Sequence, residues 1–363
     1  MLHLDPRQPL DSAIAGAFQE TLDDFLSEQA PLVEEVGAAP LLAMARTYIA
    51  GGKRLRPAFG FWSYVAAAGV PEDPRALLRA VASLDLLHVA ALAHDDLIDD
   101  SDTRRGGPSA HVWYARQHAD RVGEGDAKRY GDAATILLGD MLLMWSTECY
   151  ETSGLPADAL LRARHLLHTM RTEVTCGQYL DVAASFGMTD AATLEEHMDV
   201  TRRILEYKSA RYSVRRPCQV GASLAGASDE LLDALGEYGS ALGNAFQLRD
   251  DVLGVFGNPE VTGKPAGDDL REGKRTLLVM AALRDGSEDE REALRSMLAV
   301  DLDEEQVSAA RRIITDTGAL ANTEAQISAE AHRALTALDQ AQVTNEGRVA
   351  LGRLVELAVH REF

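Results

Sequence analysis

Positive charge is in short supply in this chain. Lysine and arginine number 36 against 57 aspartates and glutamates, a net charge of −21 over 363 residues. Such a field repels nucleic acid and anionic lipid, so neither is an expected partner. Any phosphate-bearing ligand would have to be met by metal ions and a few placed cations. Cysteine is scarce too: Cys149, Cys176 and Cys218 are far apart and form no CxxC pair, which excludes a disulfide framework and fits a reducing compartment. The segment Met1 to Asp11 is polar and acidic, unlike a secretory signal. No run of about 18 apolar residues occurs, so no membrane-spanning helix is expected. The cytoplasm is the expected location.

Strand patterning is equally thin, with little alternation and few β-branched runs. Helical periodicity rich in Ala and Leu takes its place. Hydrophobic residues make up 46%, enough for a large core. Helices are expected near 12–35, 39–50, 55–69, 131–152, 157–184, 192–224, 229–254, 275–285, 288–299, 304–338 and 344–361. Asp73-Pro74 reads as an N-cap and first-turn proline for one more, running to about Asp100. No linker or fixed-period repeat divides the chain. The expectation is a single all-α domain over residues 1–363, with a charged, glycine-rich loop from Gly257 to Arg275.

Chemistry concentrates in three segments. The first, His94-Asp95-Asp96-Leu97-Ile98-Asp99-Asp100-Ser101-Asp102-Thr103-Arg104-Arg105-Gly106, crowds five aspartates into eight residues. Asp95 and Asp99 are i and i+4, on one helix face. Asp96 points about 100° away and could orient a metal-bound water or act as a further ligand. Acidic residues at a helix C-terminus oppose the macrodipole by about 0.3–1 kcal/mol each. A bound cation removes that conflict, and Mg²⁺ bridging one or two carboxylates to substrate phosphates suits the spacing. Arg104 and Arg105 offer forked donors to phosphate, and His88 lies on the Asp95 stripe two turns upstream.

In the second segment Gly243, Gln247, Asp250 and Gly254 line one stripe, with Asp251 beside them. Gly243 leaves room for a ligand or a helix to come close. The loop that follows carries Lys264 and Lys274 and could fold over a diphosphate. The third segment, Gly51-Gly52-Lys53-Arg54-Leu55-Arg56-Pro57, sets three cations at a helix start. That arrangement is disfavoured unless an anion sits there, and Lys53 and Arg56 could grip one together.

With these segments in place, and with Gly139-Asp140, Gly177-Gln178-Tyr179-Leu180-Asp181 and Lys208-Ser209-Ala210 in the matching order, the chain resembles the trans-isoprenyl diphosphate synthases (polyprenyl synthetases) from about Gly51 to Arg361. The resemblance implies a bundle of long helices around a deep central cavity, usually a homodimer. It also implies Mg²⁺-dependent head-to-tail condensation of isopentenyl diphosphate with an allylic diphosphate. Carried over by motif, Asp95 and Asp99 would bind two Mg²⁺ and Asp250 a third, with Arg104 on the allylic diphosphate. Lys53, Arg56, His88 and Arg105 would bind isopentenyl diphosphate. Lys208, Ser209, Gln247, Lys264 and Lys274 would surround the leaving group.

Two departures stand out. Gly254 occupies the last position of the second motif, where the family often has Asp, and Ser209 replaces a commoner Thr. Short-chain members often carry aromatic rings four or five positions before the first Asp. Here Ala91 and Ala90 stand there, and with Leu87 they would line an open path for the growing tail. A product of C20 or longer follows, geranylgeranyl diphosphate first, with Met144, Trp145 and Tyr150 as a conceivable deeper floor. Two other readings compete with this one. A class I terpene cyclase would need an Asn/Asp–Ser/Thr–Glu motif that Asp250–Gly254 does not supply. A non-catalytic partner subunit would be expected to have lost its aspartates.

Overall fold

The computed structural model describes residues 4–121, 123–257 and 267–359. The described chain is helical apart from one two-stranded hairpin. The helices are α1 (Ser12–Glu35), α2 (Ala39–Ile49), α3 (Leu55–Ala68), α4 (Arg75–Ile98), α5 (Ala110–Asp120), α6 (Ala127–Glu151), α7 (Ala157–Ser185), α8 (Leu194–Ile204), α9 (Arg216–Leu224) and α10 (Asp229–Phe256). After them come α11 (Asp268–Arg271), α12 (Leu277–Asp285), α13 (Glu288–Ser296), α14 (Glu304–Asp316), α15 (Ala319–Gln340) and α16 (Asn345–Val359). A π-helical stretch, Leu205–Arg215, joins α8 to α9 without a break. The strands β1 (Thr103–Arg104) and β2 (Gly107–Pro108) pair antiparallel.

Side-chain caps start many of these helices. Asp11 accepts from the amides of Ala13 and Ile14, and Ser228 from that of Leu231. Reciprocal capping boxes open α8 (Thr193 with Glu196), α13 (Ser287 with Glu290) and α14 (Asp303 with Gln306). The buried apolar side chains form one continuous cluster. At its centre α4 packs along α6, while the π stretch lies between α7 and α10.

The structure departs from the sequence expectations at several boundaries. Helix α5 was not foreseen: its sequence is polar and Ser109 makes no side-chain cap bond. Packing holds it instead, with Tyr114 buried edge-on against Trp113 and Tyr130. The span 304–338 breaks at Thr317-Gly318, where Gly318 takes φ +79°. Pro74 is the N-cap of α4 rather than its first residue, and the Asp73 carboxylate accepts from the Arg75 amide. Helix α4 is long and apolar enough by composition to cross a membrane, yet 72% of its most apolar window is buried inside the fold. That is how a core helix behaves.

Candidate active site

Helix α4 ends at the acidic cluster. Asp99 is its C-cap, still in right-handed helical geometry, so the i, i+4 relation to Asp95 holds in space. Asp100 then turns left-handed at φ +51°, and the chain enters the β1–β2 hairpin. The central pair of that hairpin, Arg105 and Gly106, both have positive φ, as a tight primed turn demands. The turn folds Arg104 back onto α4.

There Arg104 meets Asp96, and the expectation for Asp96 needs revision. Its side chain is fully buried, held by a forked contact from Arg104 (2.9 and 3.0 Å from Nε) and by the Tyr48 hydroxyl at 2.9 Å. The Tyr48 oxygen in turn accepts from the Ala110 amide at 2.8 Å. Asp96 therefore ties α2, α4 and α5 together and stands apart from the face that Asp95 and Asp99 share. Arg104, expected on a diphosphate, has at least part of its guanidinium committed to this buried pair.

Asp95 and Asp99 face the π stretch. Gln178 Nε2 on α7 donates to Asp95 at 2.6 Å. Lys208 Nζ lies 2.6 Å from Asp181 and 3.4 Å from Asp95. Burial alone would lower the Lys208 pKa, but Asp95 and Asp181 together raise it, so the ammonium stays charged. Asp99 is pushed up to about 6, first by burial and then by the like charge of Asp95. Two carboxylates one helical turn apart on the same helix face form a site in want of a cation. The donors are oxygen only, with no thiolate or imidazole among them, which fits Mg²⁺.

Backbone proximity sets this geometry. A Cβ on Gly177 of α7 would come 2.5 Å from the Lys208 amide nitrogen, and one on Gly243 of α10 would come 2.6 Å from the Ala210 Cα. Both glycines let neighbouring helices close onto the π stretch, whose extra residue per turn is a frequent mark of a functional site. The room left by Gly243 is thus taken by a helix. Ser209 lies half-buried between these two contacts.

Helix α10 brings the second cluster. Gln247 Nε2 donates to Asp251 at 3.0 Å, and Asp251 is buried and pushed up to about 7 by that burial. Asp250 stays partly exposed one turn beyond Gln247. Lys274 reaches the Asp269 carboxylate at 3.4 Å and also pairs with Glu272. Lys264 lies outside the described residues, as does most of the loop preceding Gly267.

The basic segment divides. Arg54 is buried in a structural pair with Asp85 at 2.5 Å and also donates to the Ile49 carbonyl and to Gln19. Arg56 donates to Ser213 at 2.8 Å and stacks on the Tyr212 ring, 4.4 Å from its centroid. The His88 ring lies 6.2 Å from that same ring. Arg105 crosses over to donate to the carbonyls of Tyr48 and Ala50, passing close to Gly52. Arg56 and His88 thus meet at Tyr212, while Arg105 and Lys53 lie at the Gly51-Gly52 turn. Gln178 and Asp181 join the site although sequence alone assigns them no role; their signal is two polar residues at i and i+3 directly after a glycine. Of the suggested floor, Trp145 packs edge-on with Phe25, the Tyr150 hydroxyl donates to the Leu160 carbonyl, and Met144 is exposed.

The polyprenyl synthetase family model matches this chain over residues 39–315, a span that holds all of these acidic, glycine and basic segments. The chain belongs to that family. A crystal structure of geranylgeranyl pyrophosphate synthase from Corynebacterium glutamicum, complexed with isoprenyl diphosphate and magnesium, superposes with a TM-score of 0.90 at 36% identity. The match covers 99% of this chain and 100% of that one. A geranylfarnesyl diphosphate synthase from Aeropyrum pernix is 32% identical over 86% of this chain and 91% of its own length. A (2E,6E)-farnesyl diphosphate synthase from Mycobacterium bovis is 37% identical over 63% of this chain and 56% of its own. Membership makes this polyprenyl synthetase an all-α prenyltransferase of isoprenoid biosynthesis.

Proposed function

We propose that the chain condenses isopentenyl diphosphate with an allylic diphosphate in a Mg²⁺-dependent reaction, giving a linear trans product of C20 or longer, geranylgeranyl diphosphate first. The observation that carries this reading is the charge layout. A carboxylate face (Asp95, Asp99) with Lys208 beside it, and Asp250 on α10, stands apart from a cationic group (Lys53, Arg56, Arg105) that holds a neutral His88, so two diphosphates have distinct seats. Asp95, Asp99 and Asp250 would hold the magnesium, three ions by the family's pattern, and it would neutralise charge on the leaving diphosphate. Asp96 takes a positioning role.

Lys208, held charged between Asp95 and Asp181, adds fixed positive charge where the C–O bond of the allylic substrate breaks. Gln178 orients Asp95. The allylic cation needs an apolar surrounding free of water, which the buried length of α4 supplies. Arg56 and Arg105 anchor isopentenyl diphosphate so that its alkene attacks the cation, and a proton then leaves to the departing diphosphate. No protein nucleophile is needed. Ala91, half-buried one turn before Asp95, is small where a ring would block the tail, which supports a long product, whereas Ala90 is buried in the core; relatives' names range from farnesyl to geranylfarnesyl.

Residues 1–363 would act as one unit in a homodimer. Exposed Tyr130, Leu137 and Met144 stand at i, i+7 and i+14 on α6, with Ile136 and Leu143 beside them, and such a stripe favours a partner copy. Three unbridged thiols support a cytoplasmic setting. The test is an incubation of purified protein with Mg²⁺, isopentenyl diphosphate and, separately, C5, C10 and C15 allylic diphosphates. A Mg²⁺-dependent C20 or longer product is expected, and its loss in a folded Asp95→Ala variant. No turnover with any primer would refute the reading.

A further inference from the structure

Gly254 sits inside the last turn of α10, where a glycine costs about 1 kcal/mol relative to alanine. It is not the C-cap, which is Gly257. It stands one turn beyond Asp250, at the position where an aspartate would complete the second acidic motif. A Cβ built there would overlap the carboxylate of Asp269, with both oxygens and Cγ in its way. The space a residue-254 side chain would fill is therefore taken by a carboxylate from elsewhere in the chain.

That carboxylate is firmly placed. Asp269 is buried in the one-turn helix α11, which Gly267 opens in a left-handed conformation. The neighbouring Leu270 is wholly buried, and its carbonyl accepts from the Ala299 amide at 3.0 Å. Arg271 donates to the Leu302 carbonyl at 2.9 Å. Lys274 Nζ lies 3.4 Å from the Asp269 Oδ1.

We infer that Asp269 supplies the carboxylate missing from position 254, so that the second acidic site is completed across two elements and Gly254 is the vacancy that admits it. The inference rests on the proposed function. Asp269 supports the cation site next to Asp250 through space instead of along α10. Its carboxylate lies over Gly254, one turn from Asp250 on the same stripe of α10, and its fixing on α11 links that site to the fold of the chain after the loop.

The experiment is titration of Mg²⁺ into the full-length protein with inorganic pyrophosphate present, read by calorimetry and by the Mg²⁺-induced rise in melting temperature. Asp269→Asn keeps the shape and removes the charge. It should weaken Mg²⁺ at least about tenfold, the cost of losing a residue that supports metal ligands, with the metal-free melting temperature unchanged. Gly254→Asp alone should lower that melting temperature, because two carboxylates compete for one space. The double variant Gly254→Asp/Asp269→Ala should recover native Mg²⁺ affinity, which a merely structural role for Asp269 would not allow. Native affinity in Asp269→Asn would overturn the inference, as would weakening without recovery in the double variant. Absence of Mg²⁺ binding in the native protein would overturn the proposed function along with it, so the two failures are distinguishable.

Discussion

Replacing Gly177 with alanine should disable the site while leaving every charged residue in place. The added Cβ would lie 2.5 Å from the Lys208 amide nitrogen and 2.9 Å from its Cα, where ordinary contact begins at 3.4 Å. Both neighbours are backbone, so no rotamer change relieves the overlap, and α7 must withdraw from the π stretch by about 0.9 Å, the difference of those two distances. The Lys208–Asp181 contact of 2.6 Å spans that seam, and the Gln178–Asp95 contact of 2.6 Å ties the same helix to α4, so both are strained when α7 moves. A misplacement near 1 Å can cost about 10²-fold in rate, while overpacking costs about 1–3 kcal/mol of stability. Steady-state condensation kinetics and urea unfolding together check this. We expect kcat to fall by about two orders of magnitude in a protein that still folds. Gly16→Ala on α1, with nothing within 4 Å of its added Cβ, is the control and should be as active as the native chain. A Gly177→Ala variant with native kcat would refute the argument that close backbone contact positions Lys208.

Three further outcomes follow from the same structure. Asp85→Ala leaves Arg54 charged in a site where both partners' side chains are about 5% exposed, so it should cost about 3–5 kcal/mol in urea unfolding. Burial, then the guanidinium groups of Arg56 and Arg105, hold the His88 imidazole well below its ordinary 6.5. Below pH 6.5 the unfolded chain therefore binds a proton that the folded chain does not, so this contribution is present above 6.5 and fades as pH falls toward the folded value. His88→Gln should flatten the loss of stability between pH 7 and about 5, and superimposable curves would contradict the assignment. Ala91 is half-buried one turn before Asp95, whereas Ala90 is buried at 3% exposure. Ala91→Phe should shorten the product to C15 in a chromatographic sizing assay. Ala90→Phe should chiefly cost stability, about 1–3 kcal/mol.

The aspartate spacing was legible because i, i+4 is a local relation, kept by any helix that continues through Asp99. The same holds for the long helices, whose apolar stripes and caps are written in neighbouring residues. Helix α5 was illegible because packing of Tyr114 and Trp113 forms it, with no local signal of its own. The π geometry of Leu205–Arg215 was hidden for a similar reason, since the glycines that accommodate it, Gly177 and Gly243, lie on other helices.

The division of labour among the charged residues shows the boundary most clearly. Sequence by itself determined that this chain carries two carboxylate clusters and a cationic segment on a helical scaffold, since composition and short-range spacing suffice for that. Only the tertiary structure decided that Asp96 and Arg54 are buried partners of Arg104 and Asp85, that Gln178 and Asp181 join Asp95 and Lys208, and that Asp269 fills the space at Gly254. Those roles depend on which side chains meet across long sequence separations. A charge buried in a fold takes its function from the partner that packing brings to it.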